Sequence, residues 1–259
     1  MSFSADARSR REYDGEPLEA LAKRWQLAAV HAFGTVGSTL DVAHRLAPAA
    51  ASATLILADE QTAGRGRQGR RWASAAGAGV WLTLIVRPSD ARALDVLALR
   101  CGLYVAEVLD ELAGATVQVK WPNDLYVGDR KLAGTLIETR WRGTAPEWVA
   151  IGFGLNVSAP HHLDSGIGLA AGVTRLAALD RIVPALRRAA AVSRHLSATE
   201  LARWRTRDLS SGRNVTEPGA GVVQGISAAG ALLIATEGEG RIAAFRSGTL
   251  TFAAPLPCS

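Results

Sequence analysis

Between Lys120 and Glu138 the chain reads KWPNDLYVGDRKLAGTLIE, and no other stretch restricts the fold as strongly. The alternating runs TVQVKW, LYV and KLAGTLIETRW are separated by Pro-Asn-Asp and Gly-Asp-Arg, triplets suited to tight turns. Strands joined by turns this short run antiparallel, which predicts a meander and argues against a doubly wound parallel sheet. A further run, WVAIGFGLNVS, is expected to pair with the meander after a turn around Pro146.

Elsewhere much of the apolar spacing is helical. PLEALAKRWQL places Leu18, Leu21, Ala22 and Trp25 on one face behind a proline suited to a first turn. STLDVAHRLA predicts a short helix in which Ser38 and Asp41 have capping-box spacing, and residues 91–113 predict a long, core-packed helix. AVHAFGTV, TLILADE and VWLTLIVRP read as strands. Two more helical segments fill 175–208, the second opened by a capping box of Ser197 and Glu200. Helices among hairpin-joined strands predict an α+β fold, a mixed sheet with flanking helices. From residue 211 the pattern changes to short β runs around Val215, Val222, Ile226, 232–235 and 242–245, parted by glycine-rich turns. The expected organisation is a disordered tail over 1–16, a main domain over 17–210 and a small β-barrel-like domain over 211–259.

Composition narrows the class. With 48% hydrophobic and 20% charged residues, the chain has ample material for a core and lacks the signature of disorder. Cys101 and Cys258 are too far apart for a disulfide framework or a metal spacing, which points to a reducing compartment. The N-terminal MSFSADARSRREYDGE has no apolar core, and the best apolar run, VWLTLIV, is far short of a membrane span. A cytoplasmic protein without membrane contact is expected. Lys and Arg exceed Asp and Glu by 29 to 24, a balance that favours anionic partners without naming one.

The densest basic cluster, GRGRQGRRW at 64–72, satisfies the G-x-G-x-x-G pattern of a dinucleotide-binding turn. A strand precedes it and Asp90 lies about twenty residues on, as that reading requires. The residues that should open a helix, however, are RRWASAAGAGVW, in which Gly77 and Gly79 lead straight into another strand, so the dinucleotide reading is rejected. A Walker-type phosphate loop is excluded because no Lys-Ser or Lys-Thr follows the last glycine. Two readings remain open: a flexible lid whose guanidinium forks pair with carboxylate or phosphate oxygens, or a solvated Gly-Arg segment of the RNA-binding kind.

Lys120, Asn123, Asp124 and Lys131 gather around the two turns of the meander. Turn chemistry accounts for Asn123 and Asp124 but not for Lys131, which heads the apolar strand Leu-Ala-Gly with Gly134 leaving room for a ligand or backbone to approach. The alternative is an edge-strand lysine that discourages aggregation.

Taken in order, GSTLD, DEQTAGRGRQGRRW, KWPNDLYVGDRKLAGTLIE, IGFGLNV and the closing β-rich segment resemble the biotin protein ligases over roughly residues 34–256. The resemblance implies a catalytic domain related to class II aminoacyl-tRNA synthetases, followed by an SH3-like barrel. It implies ATP with Mg²⁺, and biotin as substrate. Biotinyl-AMP and pyrophosphate would form first, and biotin would then pass to a lysine of the biotin carboxyl carrier domain of acetyl-CoA carboxylase or a related carboxylase.

By match to the family's motifs, Ser38, Thr39 and Gln61 would line the biotin pocket, and Arg65, Gly66 and Arg67 would lie in the loop that orders over biotin and the adenylate. Lys131 would hold the biotin carboxylyl and the α-phosphate, with Gly134 beside it. Asp124 would orient or deprotonate the acceptor lysine, so that Lys131, Arg65, Arg67 and Asp124 carry the chemistry. Arg70, Trp72, Asn123 and Asn156 would contact the nucleotide or its metal; no dedicated metal-ligand set is implied. A plainer reading stands beside several of these. Ser38 can be only an N-cap, Trp72 and Trp121 core, Asn156 a satisfied interior amide, and His161 and His162 a surface pair.

Leu40 follows Ser38-Thr39 where many members carry Asn, so the start of that helix is expected to meet ligand differently. Only 37 residues precede Ser38, too few for a winged helix, and a stand-alone ligase without DNA binding, monomeric or homodimeric, is expected. A lipoate protein ligase is the nearest rival, and an RNA-binding protein using the basic loop is the rival of a different class. The latter predicts steeply salt-dependent nucleic-acid binding.

Overall fold

The computed structural model of the protein describes residues 9–88, 90–160, 165–236 and 241–254. Within these, β1 (Glu12–Tyr13) and β2 (Glu16–Pro17) lead into α1 (Leu18–Arg24), β3 (Ala29–Val36), α2 (Thr39–Leu46), β4 (Thr54–Gln61) and β5 (Gly79–Val86). The helix expected over 91–113 starts as a 3₁₀ turn at Ala91–Val96 and continues as α3 (Leu97–Ala113). Then come the meander β6 (Gln118–Lys120), β7 (Asp124–Val127), β8 (Arg130–Arg142) and β9 (Ala145–Asn156), and the helices α4 (Arg175–Ala190) and α5 (Ala198–Arg207). Five short strands close the chain: β10 (Asn214–Glu217), β11 (Gly221–Ile226), β12 (Leu232–Ala235), β13 (Ile242–Phe245) and β14 (Thr251–Phe252).

The first sheet has seven strands in the order β3-β4-β5-β9-β8-β7-β6, with β3 and β4 parallel and every other pair antiparallel. This is the mixed sheet expected from the hairpins. Because side chains alternate across a strand, its two faces carry separate clusters. Leu55 and Leu57 of β4, Leu82 and Leu84 of β5 and Ile151 and Leu155 of β9 share a core with α3 and α4. Ile56, Ala58, Ile85 and Ala150 face the other way and are covered by Leu40 and Ala43 of α2. Helix α2 is only eight residues long, so it covers part of that face and leaves the rest open.

The second sheet runs β13-β12-β11-β10-β14, all antiparallel, with β13 and β14 at its two edges. Among the described residues it is an open sheet. Val215, Val223, Ile234 and Leu250 belong to the same core as the larger sheet, and Trp121 Nε1 donates to the Gly230 carbonyl at 3.1 Å. The two sheets therefore share apolar contacts across the expected boundary at residue 210.

The expected disordered tail over 1–16 includes residues that are folded. Glu12–Tyr13 pairs with Glu16–Pro17, and Tyr13 is fully buried beneath the Arg175 guanidinium, 4.6 Å from its ring. Burying one tyrosine ring anchors the segment, which is why it folds despite its charge. Residues 1–8, His161, His162 and Cys258 lie outside the described residues. Buried Cys101 has its thiol pushed up to about 12 by desolvation, as befits a core residue. No helix of the described residues is long and apolar enough to cross a membrane.

Candidate functional site

The part of the sheet that α2 leaves open can be followed by register. Lys120, Asp124, Gly134, Gly154, Trp81 and Ala58 form one cross-strand row from β6 to β4, and cross-strand neighbours share a face. In the adjacent row Leu136, Gly152 and Thr83 run across β8, β9 and β5. Gly134, Gly154 and Gly152 thus leave three neighbouring positions of this face without side chains. The result is a trough, occupied by a cavity of about 270 Å³.

Trp72 lies on the trough floor: a Cβ at Gly154 would sit 2.6 Å from its Nε1 and one at Gly134 would sit 3.4 Å from its Cζ3. The ring is delivered by the loop 64–72, which is a small hairpin. Trp72 N donates to Gly64 O at 2.9 Å, Gly66 N to Arg70 O at 2.7 Å, and Gln68 and Gly69 turn the chain with φ of 55° and 73°. Gly64 is required for space, since a Cβ there would lie 2.4 Å from the Trp72 carbonyl. No helix follows the loop; the next strand is β5, consistent with rejecting the dinucleotide turn.

At one end of the cavity a hydrogen-bond chain is set on β5, α2 and β4. Thr83 Oγ1 bonds Thr39 Oγ1 at 2.9 Å, and the Gln61 amide oxygen accepts from Thr39 N at 2.9 Å and Thr39 Oγ1 at 3.1 Å. Gln61 Nε2 bonds Ser74 Oγ at 2.8 Å. Ser38 is the N-cap of α2, but the expected capping box is not formed. Its Oγ accepts from Leu40 N at 3.3 Å, while Asp41 is drawn outward to Arg65, with Nη1 and Oδ1 3.1 Å apart.

The other end is cationic. Lys131 Nζ is 2.7 Å from Asp124 Oδ1 and 5.0 Å from the Trp72 ring centre. Its main chain is pinned on both sides, N donating to Ser165 O at 2.7 Å and O accepting from Ile167 N at 3.0 Å. Arg67 Nη1 reaches Asn123 Oδ1 at 3.4 Å, and the Asn123 amide donates to Thr135 O at 2.7 Å, which fixes the amide across its turn. Burial holds the Arg67 guanidinium below its ordinary value, opposed by Asp124 and reinforced by Arg70. Lys120 is likewise held down by burial, opposed by Asp124 and reinforced by Lys131 and Arg70. Burial, with help from Asp124 and against Arg70, pushes the Tyr126 hydroxyl up to about 12. Two of the loop arginines are engaged elsewhere: Arg65 also meets Glu138 at 3.3 Å, and Arg71 donates to Thr62 O at 2.8 Å.

Ser38, Thr39, Gln61, Arg65, Gly66, Arg67, Arg70, Trp72, Asn123, Asp124, Lys131 and Gly134 all line this one cavity. Asn156 does not. It is 7% exposed, and its amide donates to the Lys131 carbonyl at 3.3 Å, as the plainer reading of an interior amide expects. Sequence reasoning missed Gly152 and Gly154, whose signal is a pair of glycines at strand spacing in AIGFGLNV. It also missed Thr249 and Leu250, which line the cavity from beside β14. Among the described residues no three His, Cys, Asp or Glu side chains cluster as a metal site.

Residues 34–156 match the model of the biotin/lipoate A/B protein ligase family. A bifunctional ligase/repressor of Bacillus subtilis is 40% identical over 125 residues, 48% of this chain and 38% of that protein. A biotin–[acetyl-CoA-carboxylase] ligase of Paracoccus denitrificans is 39% identical over 126 residues, 47% of this chain and 51% of that protein. The match therefore spans about half or less of these relatives' length. Among solved structures, a biotin protein ligase from Aquifex aeolicus in complex with biotin and ATP superposes with a TM-score of 0.69 at 27% identity, covering 88% of this chain and all of that one.

Proposed function

We propose that this chain, whose residues 34–156 match the model of the biotin/lipoate A/B protein ligase family, is an ATP-dependent biotin–protein ligase. The observation that carries this reading is a single trough with a neutral hydrogen-bonding end, a glycine floor and a cationic end. A bicyclic ureido head needs fixed donors and acceptors, which Gln61, Thr39 and Ser38 offer. An acyl chain needs apolar walls, which Leu40 and Trp72 supply above Gly152 and Gly154. Its carboxylate then arrives among Lys131, Arg67 and Arg70.

In the first step a biotin carboxylate oxygen attacks the α-phosphorus of ATP and the bond to the bridging oxygen breaks, the electron pair leaving on pyrophosphate. Two anions must be brought together, so the work is positioning and charge stabilisation by Lys131, Arg67 and Arg65. Arg70, Asn123 and the exposed face of Trp72 would take the nucleotide. Asn156 acts through Lys131 by holding its carbonyl. Mg²⁺ would enter with ATP, held by phosphate oxygens, water and the oxygens of Asn123 and Asp124, a small donor set that suits this ion; when bound it neutralises phosphate charge. In the second step the amine of a carrier-domain lysine attacks the acyl carbon, AMP leaves, and Asp124 orients the amine or takes its proton. Closure of the 64–72 hairpin would shield the mixed anhydride from water.

Residues 17–210 are read as the catalytic domain and 211–259 as a small SH3-like domain. Support comes from five short antiparallel strands with register shifts in the β10–β14 and β11–β12 pairs, irregularities that bend a sheet toward closure. The test is biotin-dependent pyrophosphate release from ATP, followed by labelling of a biotin carboxyl carrier domain. Wild type should do both, and Lys131→Met should unfold at a similar denaturant concentration yet lose both. Well-folded wild type that releases no biotin-dependent pyrophosphate sinks the proposal.

A further inference from the structure

Lys120 is left without a role by the arrangement above, yet it is an unusual lysine. It ends β6, the edge strand of the large sheet, and lines the cavity at the end of the row Lys120–Asp124–Gly134. Its ammonium lies 5.3 Å from the Tyr126 ring centre and 5.0 Å from that of Phe252 on β14. Among the described residues no carboxylate lies within ion-pair distance of it; the neighbouring Asp124 is paired with Lys131. Two aromatic faces hold a cation weakly compared with the water it has lost, so burying it here is a cost unless an anion arrives.

The order of the strands says which anion. The neutral network sits on β4 and β5, Lys131 on β8, Asp124 on β7 and Lys120 on β6. A substrate laid across the sheet with its carboxylate at Lys131 therefore presents the groups beyond the reacting phosphorus toward β6. Resting on the proposed ligase reading, we propose that Lys120 is a catalytic cation of the adenylation step that binds the departing pyrophosphate, and that Phe252 is the positioning residue that holds it. Charge that builds on the leaving oxygens as the bond to the α-phosphorus breaks is met there by a half-buried, partly desolvated ammonium. The second sheet thereby contributes to the first step through one aromatic ring.

The test uses the full chain. For Lys120→Met the expected result is a loss of about a hundredfold in kcat/KM for ATP in biotin-dependent pyrophosphate release. Biotin binding without ATP and transfer from supplied biotinyl-AMP to the carrier should stay within about twofold of wild type. Phe252→Leu should raise the KM for ATP about fivefold, Phe252→Tyr should restore it, and Phe252→Leu should add nothing in the Lys120→Met background. Denaturant unfolding of each variant separates a folding defect from these effects. Lys120→Met with unaltered ATP kinetics, or with transfer from biotinyl-AMP slowed as much as adenylation, overturns the assignment. Additive effects of the two substitutions overturn the role of Phe252. Failure of wild type to release pyrophosphate would instead remove the ligase reading itself, and this inference with it.

Discussion

Replacing Gly154 by alanine tests whether the bare trough floor is what seats Trp72. Gly154 is not among the glycines with positive φ, so its backbone accepts alanine and only space is at issue. The new Cβ would stand 2.6 Å from Trp72 Nε1, 2.8 Å from Cε2 and 3.2 Å from Cζ2. Ordinary contact begins near 3.5 Å, so the ring must lift by about 0.9 Å. The main chain of Trp72 cannot follow freely, because its N is bonded to Gly64 O at 2.9 Å and Gly64 has no space to spare. Overpacking of this kind costs about 1–3 kcal/mol. On the proposed function the lifted ring enters the nucleotide space, and a displacement near 1 Å is worth about a hundredfold in rate. At Gly152 the nearest atoms are the Leu40 side chain at 3.1 Å and the Leu136 carbonyl at 3.2 Å, and at Gly134 the nearest is Asp124 Oδ1 at 3.2 Å; both overlaps are smaller than at Gly154, so both alanines should cost less. Urea unfolding and kcat/KM for ATP in pyrophosphate release would be measured on all three. Gly154→Ala with stability within about 0.5 kcal/mol of wild type and activity within about threefold would refute the reasoning.

Three further outcomes are expected. Thr83→Val preserves shape but removes the hydroxyl that bonds Thr39, and should weaken biotin binding about fivefold by calorimetry, the worth of about one net hydrogen bond. Trypsin should cut the chain after Arg65, Arg67, Arg70 or Arg71 more slowly when biotin and ATP are both present; unchanged cleavage argues against closure of the hairpin. Glu200→Gln should cost about 3–5 kcal/mol in urea unfolding, because it leaves the charge of the fully buried Arg100, whose Nε meets Glu200 Oε1 at 2.6 Å, facing only neutral acceptors such as the Arg194 and His195 carbonyls among the described residues. Burial raises the Glu200 pKa, but hydrogen bonds from Arg100 and Ser197 outweigh it and the net shift is downward. Its stabilisation is therefore full above the unfolded value near pH 4.3 and is lost as pH falls through the depressed value, so wild type should lose more stability than Glu200→Gln over that acid range.

What was legible in the sequence was local. Turn chemistry at Pro-Asn-Asp and Gly-Asp-Arg set the meander, and the Ser197–Glu200 capping box formed as expected. The box at Ser38 and Asp41 has the same spacing and does not form; Asp41 pairs instead with Arg65, which lies on the 64–72 loop. The site was legible where its residues lie in dense motifs, and not where register brings them together. Nothing near Thr83 says that it will stand beside Gly152, and nothing near Lys120 announces Phe252, since both pairings depend on strand order across the whole chain. The charged segment before Pro17 misled for the same reason: its one tyrosine finds a buried seat among residues as distant as Arg175.

The resting partners of the loop arginines bear on how easily the site could close. Arg65 is held by Asp41 and Glu138, whose side chains are 46% and 26% exposed. Pairs this wet are worth at most about 1 kcal/mol each, because water and salt screen them. Among the described residues the side-chain hydrogen bond of Arg67 is to a neutral amide at 3.4 Å. Lys131 has the better partner in Asp124, but that contact lies inside the cavity that a substrate would fill. A ligand moves a loop only by binding one arrangement better than the other. A polyphosphate in the trough, shielded from water, offers these cations charge-assisted bonds roughly twice as strong as neutral ones. Arg65 and Arg67 are thus held by weak partners, which an anionic substrate of the proposed reaction could displace.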